Sequence, residues 1–152
     1  MNYIRELDSY DRKIIEALSS DGRMPVTAVA ERVGLSKTPC QTRIKRLQND
    51  GFIKGFKAVL DHQKFGRDHI AFAEVTLSDT RENALQKFNE AVASIGEIEE
   101  CHMIAGSFDY LLKVRTSNIN AYRKVLGESI SSLPHVANSS THVAMQSIKE
   151  AG

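Results

Sequence analysis

Residues Ser36 to Gly51 read SKTPCQTRIKRLQNDG. Cys40, Ile44 and Leu47 recur there at i, i+4, i+7, the interval of one helical stripe. Ser36 is a residue type favoured at the N-cap, and Gly51 suits the left-handed stop that ends many helices. The spacing predicts a helix from Ser36 to about Asn49 with the apolar stripe in a core. Thr38, Thr42, Lys45 and Asn49 then turn away from that core, with Gln41 and Arg46 flanking. Between Ser36 and Asn49 stand four basic residues, Lys37, Arg43, Lys45 and Arg46, and no acid. Such a face meets phosphates through Lys and Arg and offers Gln, Thr and Lys to base edges in the major groove. The free N–H groups of the first turn, Ser36 to Thr38, favour a phosphate as well. The candidate DNA-binding residues are therefore Ser36, Lys37, Thr38, Gln41, Thr42, Arg43, Lys45 and Arg46. A solvated basic helix with no partner shows the same charges, so the neighbouring segments decide between the two.

Upstream, Val26, Val29, Ala30 and Val33 mark a short helix with Pro25 in its first turn and Gly34 as its stop. Before it, Asp8 is placed to cap a helix carrying Ile14, Ile15 and Leu18, which Asp21-Gly22 ends. Downstream, Phe52 to Asp61 (FIKGFKAVLD) reads as extended chain with a bend at Gly55. Three helices followed by a strand pair is the pattern of a winged helix-turn-helix, and Lys54 and Lys57 on the wing extend the DNA-facing surface.

A polar stretch, residues 61–68, reads as a hinge. Beyond it His69 to Leu77 alternates as a strand, and Arg81 to Ile95 is helical. Glu97 to Ala105 and Asp109 to Thr116 are strands joined at Gly106-Ser107. Ile119 to Leu133 is a second helix, and Val136 to Ile148 a last strand. The order βαββαβ is the ferredoxin-like arrangement, with both helices on one sheet face. The fold class is thus α+β, a winged helix-turn-helix over residues 1–60 and a ferredoxin-like domain over 69–152. Apolar residues fall on both faces of the strands, Ala71, Ala73 and Val75 against Ile70 and Phe72. The uncovered face is expected to meet another subunit, making at least a dimer.

Over 152 residues the net charge is only +1. It is unevenly spread: residues 1–60 hold 11 Lys and Arg against 7 Asp and Glu, and residues 61–152 hold 9 against 12. A basic first part joined to an acidic second suits a DNA reader attached to a different module. No apolar run approaches the length of a membrane span, and Met1 to Asp8 has no signal-type stretch, so a cytoplasmic protein is expected. Cys40 and Cys101 are too few for a disulfide framework. Cys101 and His102 are adjacent and point to opposite strand faces, and the other histidines (His62, His69, His135, His142) form no ligand pattern, so no metal site is expected. Phosphate loops, HExxH and GxSxG are absent.

The stretch DGRMPVTAVAERVGLSKTPCQTRIKRLQNDGFIKGF, Asp21 to Phe56, resembles the DNA-binding region of the Lrp/AsnC (feast/famine) family of regulators. ECHMIAGSFDYLLKV, Glu100 to Val114, and AYRKVLGE, Ala121 to Glu128, resemble its second half, which looks closest to regulators of proline utilisation. The resemblance implies a transcriptional regulator that binds double-stranded DNA. It implies dimers that assemble into tetramers or octamers, and an amino-acid effector between subunits rather than a cofactor. Gly106-Ser107-Phe108-Asp109 matches the family's Gly-x-x-Asp loop. Backbone N–H groups at Gly106 and Ser107 suit an effector carboxylate, and Asp109 its ammonium. By family position Met103, Ile104, Ile119, Ser139, Thr141, His142 and Val143 wall the pocket, His142 departing from the aromatic hydroxyl of some relatives. The residues alone also allow a plain turn in which Asp109 caps its own backbone. Two other functions fit the same plan: an enzyme like the sirohaem decarboxylases, and an architectural DNA-binding protein without a ligand.

Overall fold

The computed structural model describes residues 6–151. The chain divides into two compact units, residues 1–59 and 60–152.

The first unit holds α1 (Ser9–Ser20), α2 (Val26–Val33) and α3 (Lys37–Asn49). Their apolar stripes meet in one core of Ile14, Ala17, Leu18, Val29, Ala30, Val33, Cys40 and Leu47. Each terminus has a local cause. Asp8 accepts from the Asp11 N–H at 2.9 Å and Asp11 accepts from the Asp8 N–H at 3.2 Å, a reciprocal capping box that starts α1. Pro25 sits at the N-cap of α2, one position earlier than expected. Gly34 adopts φ 80°, which lets its N–H and that of Leu35 return to the Ala30 carbonyl and closes α2.

The strand pair expected after α3 does not form among the described residues. Phe52 to Asp61 carries no ladder. Gly51 is left-handed and Ile53 returns an N–H to the Leu47 carbonyl, but no residue from 52 to 61 takes the positive φ of the common two-residue hairpin turns. The segment runs on extended. Phe56 lies against Gly22, where a Cβ would come within 3.2 Å of its ring.

The second unit is a four-stranded antiparallel sheet in the order β2-β3-β1-β4, from β1 (His69–Leu77), β2 (Ile98–Met103), β3 (Tyr110–Thr116) and β4 (Val136–Val143). With α4 (Glu82–Val92) after β1 and α5 (Ile119–Val125) after β3, this is the βαββαβ plan. Ala71 lies opposite Val114 and Val143, and Ala73 opposite Leu112 and Thr141. This face of the sheet packs with Phe88, Val92, Tyr122, Ile130 and Leu133 into the core. The Tyr110 hydroxyl, buried beside Phe88, donates to Asn89 at 2.9 Å.

Two boundaries differ from expectation. The second helix is regular only to Val125; Leu126 to Ile130 is a π turn in which the Ser131 N–H reaches back to the Leu126 carbonyl. On an unbroken α-helix Ile130 would sit roughly 80° from Tyr122. The wider turn brings Ile130 round so that both are buried in the same core. The last strand stops at Val143 rather than Ile148, and Met145 and Ile148 are exposed.

The sheet face away from the helices is charged as well as apolar. Arg115, opposite Ile70 and only 2% exposed, donates to Glu99 at 2.5 Å, to Glu150 and to the Arg67 carbonyl at 3.3 Å. Lys113 stands within 3.4–3.7 Å of Glu99, Glu100 and Glu150. Burial works against ionisation of Glu99 and Glu150, yet the Arg115 and Lys113 cations hold both carboxyls below their ordinary value of 4.5. A carboxyl lowered in the folded state stabilises fully above its unfolded value and loses that contribution as pH falls toward the folded value. The melting temperature followed by circular dichroism is therefore expected to fall as pH drops below 4.5, and less so in Glu99→Gln. An identical acid profile in that variant would remove Glu99 from the cause.

Candidate nucleic-acid interface and effector site

On α3 the row Lys37, Thr38, Gln41, Thr42 and Lys45 lies open to solvent, with Ser36 exposed at the N-cap. Ser36 makes no side-chain capping bond, so the first-turn N–H groups remain available to an anion. Thr42 donates its hydroxyl proton to the Thr38 carbonyl at 3.1 Å. Cys40 and Leu47 are fully buried on the opposite side of the helix. Lys54 is exposed on the unpaired segment after the helix.

Arg43 and Arg46 are placed differently. Arg43 donates to Asp8 at 2.6 Å and to Asp11 at 2.9 Å, and Arg46 donates to Asp11 at 2.5 Å. Their side chains are 24% and 28% exposed, while that of Asp11 is 3% exposed. The Arg43 guanidinium also stands 5.4 Å from the centre of the Tyr10 ring. The hydrogen bonds it donates, to Asp8 first and then to Asp11, raise the Arg43 pKa above its ordinary value. The Asp11 N–H, followed by Arg43, holds Asp8 below its own. The acid-free stretch seen in the sequence is thus supplied with acids from another helix. The signal lay in the Asp-x-x-Asp spacing at the start of α1, which reads only as a cap until tertiary structure shows its second use.

The effector residues separate along the sheet. Met103, Ile104, Gly106, Ser107 and Asp109 gather where β2 turns into β3. Ile104 donates its N–H to the Asp109 carbonyl at 2.8 Å, and the Asp109 N–H reaches the Val75 carbonyl at 2.9 Å. The Asp109 carboxylate accepts the Leu77 N–H at 2.7 Å, beside the point where the β1–β4 register shifts. One carboxylate oxygen thus fastens a neighbouring strand. Gly106 has no positive φ, and a Cβ there would meet only Ile104 at an ordinary 3.5 Å. The fold itself does not demand glycine at this exposed turn.

Ile119 and Val143, half-exposed, lie at the opposite end of the sheet: Val143 pairs with Ala71, and Ile119 follows Thr116, the partner of His69. Ser139 and Thr141 fall between on the helix face, with the Thr141 hydroxyl 2.6 Å from that of Tyr122. His142 points to the other face, opposite Phe72, with Nε2 3.2 Å from Glu74. A single chain does not bring the whole set together.

Cys101 packs toward the core while His102, exposed on the other face, contacts Glu100 at 3.2 Å. Among the described residues no three of His, Cys, Asp and Glu gather as a metal ion requires. Burial pushes the Cys40 and Cys101 thiols above their ordinary pKa, away from nucleophilic character.

Residues 70–152 match the Lrp/AsnC ligand binding domain and residues 7–54 a winged helix-turn-helix DNA-binding domain. The chain belongs to the Lrp/AsnC family. It is 69% identical to the proline dehydrogenase transcriptional activator of Rhizobium radiobacter, over 97% of this chain and 94% of that protein. It is 42% identical to the leucine-responsive regulatory protein of Escherichia coli (strain K12), over 96% and 89%. An AsnC family regulator from Agrobacterium tumefaciens superposes with a TM-score of 0.88 at 33% identity, covering 95% and 94%. A Neisseria meningitidis regulator solved as an L-Met complex superposes at 0.87 with 28% identity, over the same shares. This Lrp/AsnC member is therefore a transcriptional regulator with a DNA-binding and a ligand-binding domain, not an enzyme of related architecture. No helix among its described residues is long and apolar enough to cross a membrane.

Replacing Asp11 with alanine removes charge-assisted bonds to two arginines that still reach water. It is expected to cost about 2–3 kcal/mol of stability. Urea denaturation of the purified protein measures this, and a loss within experimental error would show that the ion pairs do not hold the helices together.

Proposed function

We propose that the protein reads duplex DNA with Lys37, Thr38, Gln41, Thr42 and Lys45, with Ser36 and Lys54 at flanking phosphates. Arg43 and Arg46 hold the reading helix in place. One observation carries this: the row is solvent-exposed, free of acids, and backed by a buried stripe that fixes its orientation. The effector is an amino acid bound between subunits, a reading favoured by the division of the candidate residues between the two ends of one sheet. The neighbour solved with L-Met supports the ligand class, and the relative named as a proline dehydrogenase activator supports control of proline catabolism.

In this reading the protein works in the cytoplasm as a dimer that assembles to a tetramer or octamer, with residues 61–68 as the hinge between its domains. The assembly sets the spacing of paired reading helices and hence of DNA half-sites. An amino acid shifts that assembly only by binding one arrangement more tightly than another.

Lys45→Ala is expected to weaken binding to a duplex selected by the wild-type protein by about 1–3 kcal/mol, with an unchanged melting temperature. Fluorescence anisotropy across a salt series checks this, and wild-type affinity in the variant would take Lys45 out of the interface. For the effector loop, Asp109→Asn keeps an oxygen for the Leu77 N–H while removing the charge. It is expected to abolish the amino-acid response and preserve basal DNA binding. A full response in Asp109→Asn would move the effector away from this loop.

A further inference from the structure

Two exposed histidines mark the outer face of the sheet, the face away from the helices. His142 on β4 stands with Nε2 3.2 Å from Glu74 Oε1 on β1. Toward the other edge of that face, on β2, His102 Nε2 lies 3.2 Å from Glu100 Oε2. Their side chains are 61% and 60% exposed, so packing holds neither in place.

The sheet register sets the two pairs level with one another. Glu100 lies opposite Lys113, and Phe72 and His142 continue that row. His102 lies opposite Leu111, and Glu74 continues the next row. Phe72 and Leu111 stand half-buried between the pairs. The separation within each pair also matters. A charge-assisted N–H···O bond closes to about 2.7–2.9 Å. Two ligands on a tetrahedral zinc ion, each at about 2.0–2.1 Å from the metal, stand about 3.4 Å apart. At 3.2 Å both pairs come nearer to one edge of that tetrahedron. Imidazole nitrogen and carboxylate oxygen are both ligands that zinc takes. Two more are needed, and among the described residues no third His, Cys, Asp or Glu joins either pair.

A second copy supplies them by symmetry. Subunits that pair through one sheet face are related by a two-fold axis lying between the sheets. Packed sheets keep their strands nearly aligned about 10 Å apart, and side chains from both meet between them. The axis then runs along the strands or across them. Along the strands, it sets β2 of one copy over β4 of the other, row on row. Across them, it sets each edge over its own counterpart. Both arrangements bring a His–Glu pair to a His–Glu pair. Apolar side chains at the centre and pairs of donor and acceptor toward the edges make the face complementary to itself.

We propose that a zinc ion joins two copies of this chain, held by His142 and Glu74 of one and by a His–Glu pair of the other. The proposal rests on the subunit pairing given under the proposed function and adds a metal to it. Glu100 Oε1 is 3.7 Å from Lys113, a competing cation, whereas Glu74 and His142 have no other ion partner among the described residues. The pair on β1 and β4 is therefore the stronger half.

Sedimentation of the full-length protein stripped with EDTA, over dilution and urea series with and without zinc chloride, tests it. Zinc is expected to tighten self-association by roughly tenfold or more, because an ion that only the paired form binds shifts the equilibrium by mass action. In the double variant His102→Ala/His142→Ala that response is expected to vanish, and the zinc heat in isothermal titration with it. The metal-free melting temperature stays unchanged, since both side chains are exposed. A zinc response undiminished in the double variant overturns the proposal. Wild-type protein that pairs equally well with and without zinc also overturns it, and leaves the subunit pairing standing. A chain that stays single under both conditions removes the pairing as well.

Discussion

Asp11 is the point on which the DNA-binding half depends. It closes the capping box that starts α1, and the same buried carboxylate receives Arg46 and Arg43 from α3. An uncompensated carboxylate at that depth would be costly, and so would a recognition helix free to rotate about its axis. One residue settles both. It joins the first turn of one helix to the last turn of another, 35 positions away in the chain. Because Arg46 and Arg43 are engaged with these acids, the exposed row of α3 consists of side chains whose direction the helix itself determines.

The second half shows the same economy in another form. Asp109 fastens the end of β1 by accepting the Leu77 N–H, and the buried Arg115 gathers carboxylates from β2 and from the C-terminal segment. At Asp109 a charged group whose residue type suggested ligand chemistry also holds a neighbouring strand in place. A substitution at such a position changes structure and function at once, which is why the substitution that keeps the oxygen is more informative at Asp109 than simple truncation.

Most of the architecture was legible in local patterns. The stripe Cys40, Ile44, Leu47 and the stops at Gly34 and Gly51 placed α3, and alternation from His69 to Leu77 placed β1 to the residue. Periodicity could not show the π turn, because Ile119 to Leu133 satisfies a regular helix as a pattern and only packing with Tyr122 decides between the two. Nor could it show that Phe52 to Asp61 lacks a ladder, since a strand is defined by a partner that the local sequence does not name. Charge counting within one helix could not show that Arg43 and Arg46 pair with acids that come from elsewhere in the chain. For the candidate effector residues, family position gave the set; the sheet register then showed that they are spread from one end of the sheet to the other.

The hydroxyl of Thr42 has a single proton, and that proton is given to the Thr38 carbonyl. Toward a base pair the residue can therefore accept a hydrogen bond or offer its methyl group, but it has no donor to spend. Guanine shows only acceptors on its major-groove edge, whereas adenine and cytosine show amino groups and thymine a methyl. In the proposed interface a base facing this position would be chosen by exclusion, with guanine the one the side chain is least able to greet.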